Sequence, residues 1–179
     1  MKGFIRNNRY FSLCGLNCHL CPMNLAGHCS GCGVDNQSCK IAKCSMEHGN
    51  VEYCFQCDSF PCSKYEHISD FDSFITHKNQ MSDLEKCRRT GIAAYNAEQE
   101  EKHRILEYLL SNFNDGRRKT LFSVAVNLLD IEELQSILQQ LAEDKAINDM
   151  ELKEKAALVT KYLQDTAEKR KIVLKLRKK

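Results

Sequence analysis

Ten of the eleven cysteines in this 179-residue chain fall between Cys14 and Cys62, and only Cys87 lies outside that window. So dense a run leaves two chemistries, disulfide bonds or bound metal. Disulfides need an oxidising compartment, and the opening MKGFIRNNRYFSL has neither the apolar run nor the small-residue cleavage site of a signal peptide. No stretch approaches the roughly 18 apolar residues of a membrane span. The expectation is a cytoplasmic protein whose reduced thiols hold metal.

The spacing sharpens that expectation. Cys14, Cys18 and Cys21 read C-x3-C-x2-C; Cys29 and Cys32 read C-x2-C inside CSGCG; Cys39 and Cys44 follow singly; Cys54, Cys57 and Cys62 read C-x2-C-x4-C. A C-x2-C step lets two thiolates converge on one ion from a single tight turn, and glycine beside the pair tolerates the backbone angles such a turn requires. Gly31 and Gly33 stand at that position. A segment this short buries little core, so ligation is expected to supply much of its folding energy. All ten clustered cysteines are therefore candidate ligands. Cys87, on a predicted helix, reads as a small buried hydrophobe.

Tetrahedral zinc takes four ligands, and ten thiolates do not divide evenly into fours. Two four-cysteine sites leave two cysteines over. Three sites need two further ligands, with His19, His28 and His48 nearby. A binuclear cluster of six thiolates with one four-cysteine site is a third division; C-x2-C-x6-C at Cys29, Cys32 and Cys39 suits half of such a cluster, and C-x2-C-x4-C does not match the other half. An iron–sulfur cluster is the alternative metal, because four-thiolate sites serve both, and Pro22 directly after Cys21 is a feature of ferredoxin-type loops. The C-x3-C-x2-C run is also the cluster loop of radical S-adenosylmethionine enzymes, whose αβ barrel has no counterpart in this pattern.

CGLNCHLCP, then CSGC, then KIAKC and HGNVEYCFQCDSFPC together resemble the cysteine-rich prokaryotic proteins grouped as domain-of-unknown-function family 3795. Those typically open with CGLxCxxCP, continue with CxGC and close with CxECxxFPC; here Gln56 stands where Glu is usual. The likeness is close over residues 10–65 and loose over 80–140. The resemblance implies metal binding, with zinc the expected ion, and carries no reaction with it.

Beyond Tyr65 the pattern turns helical, giving a mainly α chain: an irregular metal-binding module over residues 1–65, an α-helical domain over 66–168 and a basic tail over 169–179. Phe71, Phe74 and Ile75 suggest a short helix. Ser82 with Glu85 has capping-box form, and Gly91 is placed to bend or break the helix they start. Ile105, Leu106, Leu109, Leu110 and Phe113 share one helical face. Asn114-Asp115-Gly116 is a turn. Further helices carry Leu121 to Leu129, Leu134 to Leu141 behind an Asp130/Glu133 cap, and Leu152 to Leu163 behind an Asn148/Glu151 cap.

Charge follows the same division: net +2 over residues 1–65, −7 over 66–168 and +7 over 169–179. The acidic middle argues against a protein that coats nucleic acid along its length. The tail KRKIVLKLRKK keeps nucleic acid as an alternative partner, against a solvated helix end as the plainer reading. Arg117, Arg118 and Lys119 precede a helix and are read as a solvated or carboxylate-paired face, with an anion site as the sharper option. No nucleophile–base set, paired carboxylates or phosphate loop stands out. The expectation is a non-enzymatic interaction or regulatory protein.

Overall fold

The computed structural model describes residues 3–35 and 38–178; of the basic tail, Lys179 lies outside them. Among the described residues the chain is mainly α-helical and has no strand. Its helices are α1 (Pro22–Leu25), α2 (Lys40–Glu47), α3 (Gln80–Thr90), α4 (Ile92–Phe113), α5 (Lys119–Leu128), α6 (Ile131–Glu143) and α7 (Leu152–Lys169). Short 3-10 turns at Cys18–Leu20, Cys54–Gln56 and Ser63–Tyr65 fill the cysteine-bearing stretch.

The chain forms two compact units, Met1–Gln99 with Leu176–Lys179, and Glu100–Lys175. In the first, the irregular stretch shares an apolar core with α3 and the start of α4. Phe11, Tyr53, Leu84, Cys87 and Tyr95 pack together, with Phe55, Phe60 and Tyr65 against them. Tyr95 also anchors the CGLNC loop: its hydroxyl donates to Asn17 Oδ1 at 3.0 Å, and Asn17 Nδ2 donates to Asp83 at 2.8 Å. Gly15 sits at φ 97°, and a Cβ there would overlap the Gln80 carbonyl oxygen and press on Leu84 Cγ at 2.8 Å. Only glycine lets this loop lie directly on α3.

Two expectations for this region are corrected. Residues 71–75 form no helix: Phe71 and Phe74 are exposed and only Ile75 is buried. The segment is shaped instead by the Asp72 carboxylate, which accepts from the His77 amide at 2.7 Å and from the Arg177 amide and guanidinium, each at 2.7 Å. Burial raises the Asp72 pKa, but these donors outweigh it and hold the carboxyl down at about 2. The helix expected from Ser82 begins earlier. Asn79 is the residue before α3, and the Ser82 hydroxyl turns back to its carbonyl at 2.9 Å. Gly91, at φ 87°, ends α3 and separates it from α4.

In the second unit α6 and α7 each bury one face, while α5 is buried without a break from Phe122 to Asn127. Phe122, Ala125, Val126 and Leu129 around α5, Leu134, Ile137 and Leu141 of α6, and Ala156, Val159 and Leu163 of α7 are buried, and α7 packs on both α5 and α6. The Lys102 ammonium, itself buried, donates to the Leu129 carbonyl at 2.8 Å and satisfies an end of α5. The expected Asp130/Glu133 capping box forms, and Arg170 binds both carboxylates at 2.8 Å. The cap of α7 lies three residues later than the spacing predicts: Glu151 pairs with Glu154, because Asp144 caps a 3-10 turn at Lys145–Asp149 that takes up Asn148.

Candidate metal centre

None of the eleven cysteines is in a disulfide. The ten from Cys14 to Cys62 all belong to the first unit, and backbone hydrogen bonds fold their loops onto one another. Cys21 N–H donates to Cys18 O at 3.1 Å, closing the first turn, and Asn24 Nδ2 holds the Cys29 carbonyl at 2.8 Å. Cys32 N–H donates to Arg9 O at 3.0 Å, which brings CSGCG back to the lead-in segment. Gly31 sits at φ 92°, and a Cβ there would overlap that same Arg9 carbonyl. Cys54 N–H donates to Leu13 O at 2.9 Å, tying the last cysteine group to the first.

The sulfurs influence one another. Burial raises the Cys18 pKa well above a free thiol's, and the neighbouring Cys32, Cys14, Cys21 and Cys29 raise it further. Cys32 is pushed up to about 11 by burial, with Cys14 and Cys39 adding to it, while the Leu13 backbone and the Arg6 guanidinium pull the other way. Burial also raises Cys14, which Ser12 partly offsets through an Oγ to Sγ contact of 3.2 Å and which Cys39 reinforces. Cys54 is pushed up to about 12 by burial, lowered by the Tyr65 hydroxyl and raised by Cys14, Cys62 and Cys44. Cys14 neighbours Cys18, Cys32 and Cys39 on one side and Cys54 on the other, so the sulfurs form one continuous neighbourhood that also takes in Cys44 and Cys62.

A shallow cleft with room for about 30 Å³ is lined by Cys44, Cys54, Cys57 and Cys62 together with Ile41, Val51, Phe60, Tyr65 and His48. Among the described residues, no group of three or more histidine, cysteine, aspartate or glutamate side chains has the geometry to hold a metal ion. Thiols are the donor type that zinc and iron–sulfur sites use.

The three histidines fare differently. His19 stacks flat on Tyr10 with ring centroids 3.9 Å apart. The His28 amide donates to Met23 O at 2.9 Å and closes the turn after α1. His48 Nδ1 lies 2.8 Å from the Cys44 carbonyl, which can only accept, so that nitrogen carries the proton; the same nitrogen is 3.7 Å from Cys44 Sγ. Cys87 lies in the apolar core, as its helical position suggested.

Arg6 is the residue that pattern reading missed. Its side chain is 1% exposed, and Gly33 packs where a Cβ would meet Arg6 Cγ at 2.7 Å. Nη2 donates to Phe11 O at 2.8 Å, the guanidinium lies over the Tyr53 ring at 5.0 Å, and Glu52 approaches at 3.6 Å, while Nη1 makes no hydrogen bond. This buried cation lowers the Cys32 pKa against the larger upward push of burial. A single arginine in a lead-in segment gives no sequence signal of this.

No family model matches the chain, and no curated protein or solved structure proved detectably similar to it. Among the described residues, no helix is long and apolar enough to cross a membrane.

Proposed function

We propose that this chain is a zinc-thiolate protein whose ten clustered cysteines, Cys14, Cys18, Cys21, Cys29, Cys32, Cys39, Cys44, Cys54, Cys57 and Cys62, hold metal in a structural site, in a reducing compartment such as the cytoplasm. The observation that carries the reading is that the cysteine loops are tied to one another within one unit, closely enough that Cys14, Cys18, Cys32 and Cys54 each feel several other cysteines. The likeness to domain-of-unknown-function family 3795 points the same way. Thiolate-rich sites with every position filled by protein are structural more often than catalytic. The role that fits is a rigid metal-organised surface offered to a protein partner.

The tail supports a nucleic-acid role poorly, because Arg170 and Arg177 are already bound to Asp130, Glu133 and Asp72. Iron–sulfur chemistry uses the same ligands, and one experiment separates the two metals. Full-length protein purified without oxygen and without added metal is expected to be colourless and to carry zinc by elemental analysis. A brown protein with visible absorption that bleaches on reduction would replace zinc with an iron–sulfur cluster. Neither metal in the native protein would end the reading.

A further inference from the structure

We infer that the loop over residues 68–78 is a recognition site for an arginine-bearing chain segment, and that the protein's own tail is the ligand that fills it, held as a detachable strap. Leu176–Lys179 belongs to the first unit, although the chain leading to it, Glu100–Lys175, forms the second. The site contains no cysteine.

One residue of the tail makes the contact, and both its main chain and its side chain are read. Asp72 N–H donates to the Arg177 carbonyl at 2.9 Å, and Arg177 N–H returns a bond to Asp72 Oδ2 at 2.7 Å. The guanidinium meets both carboxylate oxygens, Nη2 on Oδ1 at 2.7 Å and Nε on Oδ2 at 3.2 Å. Main-chain pairing of this kind gives affinity to any extended segment, and the side-chain contact gives selectivity. Here that contact is a planar fork on a carboxylate, a geometry that lysine lacks.

The loop is shaped to hold the carboxylate. His77 N–H donates to Asp72 Oδ1 at 2.7 Å, while its ring nitrogens lie 3.0 Å from the Ile68 carbonyl and 3.0 Å from Ser73 Oγ. Ile75 and Thr76 are buried and anchor the turn. With Arg177 in place the Asp72 side chain is 0% exposed. Without the arginine, only the His77 bond remains of those named, and a covered charge left short of partners is costly to keep. Arg177 itself keeps 35% of its side chain exposed, so the contact lies at the surface, where a competing segment can reach it.

Full-length protein tests the site in two arms. A fluorescent peptide of residues 171–179, KIVLKLRKK, is expected to bind the Arg177→Ala variant saturably. The same peptide carrying Arg177→Lys has equal charge and is expected to bind at least about tenfold more weakly. In the wild type, the Arg177 amide is expected to be protected from hydrogen exchange. Excess arginine peptide, but not its lysine form, is expected to speed that exchange by filling the site whenever the strap opens. Equal binding of the two peptides to a folded Arg177→Ala, no binding there, or an Arg177 amide that exchanges freely or ignores the peptide overturns the site. The wild-type arm carries no substitution, so it decides the matter should Arg177→Ala fail to fold.

Discussion

Stripping metal from the native chain with a strong chelator, under reducing conditions, is expected to abolish hydrogen-exchange protection across residues 9–65 and to leave α5 to α7 protected. The apolar core of the first unit is small: Phe11, Tyr53, Leu84, Cys87 and Tyr95 form one cluster, and Phe4, Leu13 and Ala42 another. Much of the chain between them is turn rather than helix. Structural zinc binds with about 10–16 kcal/mol at neutral pH, comparable with the whole net stability of an ordinary domain, about 5–15 kcal/mol. Without it, the bonds that join distant cysteine loops, Cys32 to Arg9 and Cys54 to Leu13, have little to hold them. A loss of about 4 kcal/mol already speeds exchange by roughly three orders of magnitude. The second unit carries its own buried face and no clustered cysteine, so its amides are the internal control. Unchanged protection over 9–65 after metal removal would show that packing alone holds the loops.

The Gly15→Ala substitution is expected to destabilise the first unit by about 3 kcal/mol, and Gly49→Ala by about 1 kcal/mol. Both glycines have positive φ, 97° and 80°, so both variants incur the cost of a side chain in that region. They differ in surroundings. A Cβ at Gly15 meets the Gln80 carbonyl and Leu84, backbone and core that cannot swing aside, whereas at Gly49 nothing lies within 4 Å. The reduced entropy of the unfolded chain favours both variants alike and cancels in the comparison. Denaturant unfolding of the metal-loaded proteins measures the difference. Equal losses would mean that the CGLNC loop does not rest on α3.

The helices of the second unit were legible because their physics is local. Buried positions recur at the helical period in α6 at Leu134, Ile137 and Leu141, and the Asp130/Glu133 box lies within one turn, whereas α5 is buried without a break from Phe122 to Asn127. Ser82/Glu85 and Asn148/Glu151 are the same local pattern, yet neither starts its helix. Asn79 precedes α3 by one residue, and the Asp144-capped turn occupies Asn148. Several residues can offer a cap, and the neighbouring chain decides among them. Residues 71–75 show a deeper limit: Asp72 is bound to Arg177, a partner 105 residues away, and apolar spacing cannot report such a contact.

At the cysteines, spacing placed the glycine turns, and Gly31 and Gly33 do carry positive φ at 92° and 95°. Which cysteine loops meet was not legible, since spacing defines neighbours along a loop only; the bonds from Cys32 to Arg9 and from Cys54 to Leu13 are set by the fold. Cys39 is the N-cap of α2 and Cys44 lies within that helix, a placement that spacing does not report. Arg6, Asn17 and Tyr65 were invisible for the same reason: each acts on the cysteine loops through the fold rather than through a motif.

X-ray absorption at the zinc edge of the native, full-length protein looks straight at the atoms on which the account depends. It predicts a first coordination shell made only of sulfur, four per zinc, at about 2.3 Å. A shell dominated by nitrogen and oxygen near 2.0 Å would contradict it, because the clustered thiols would then not be the ligands.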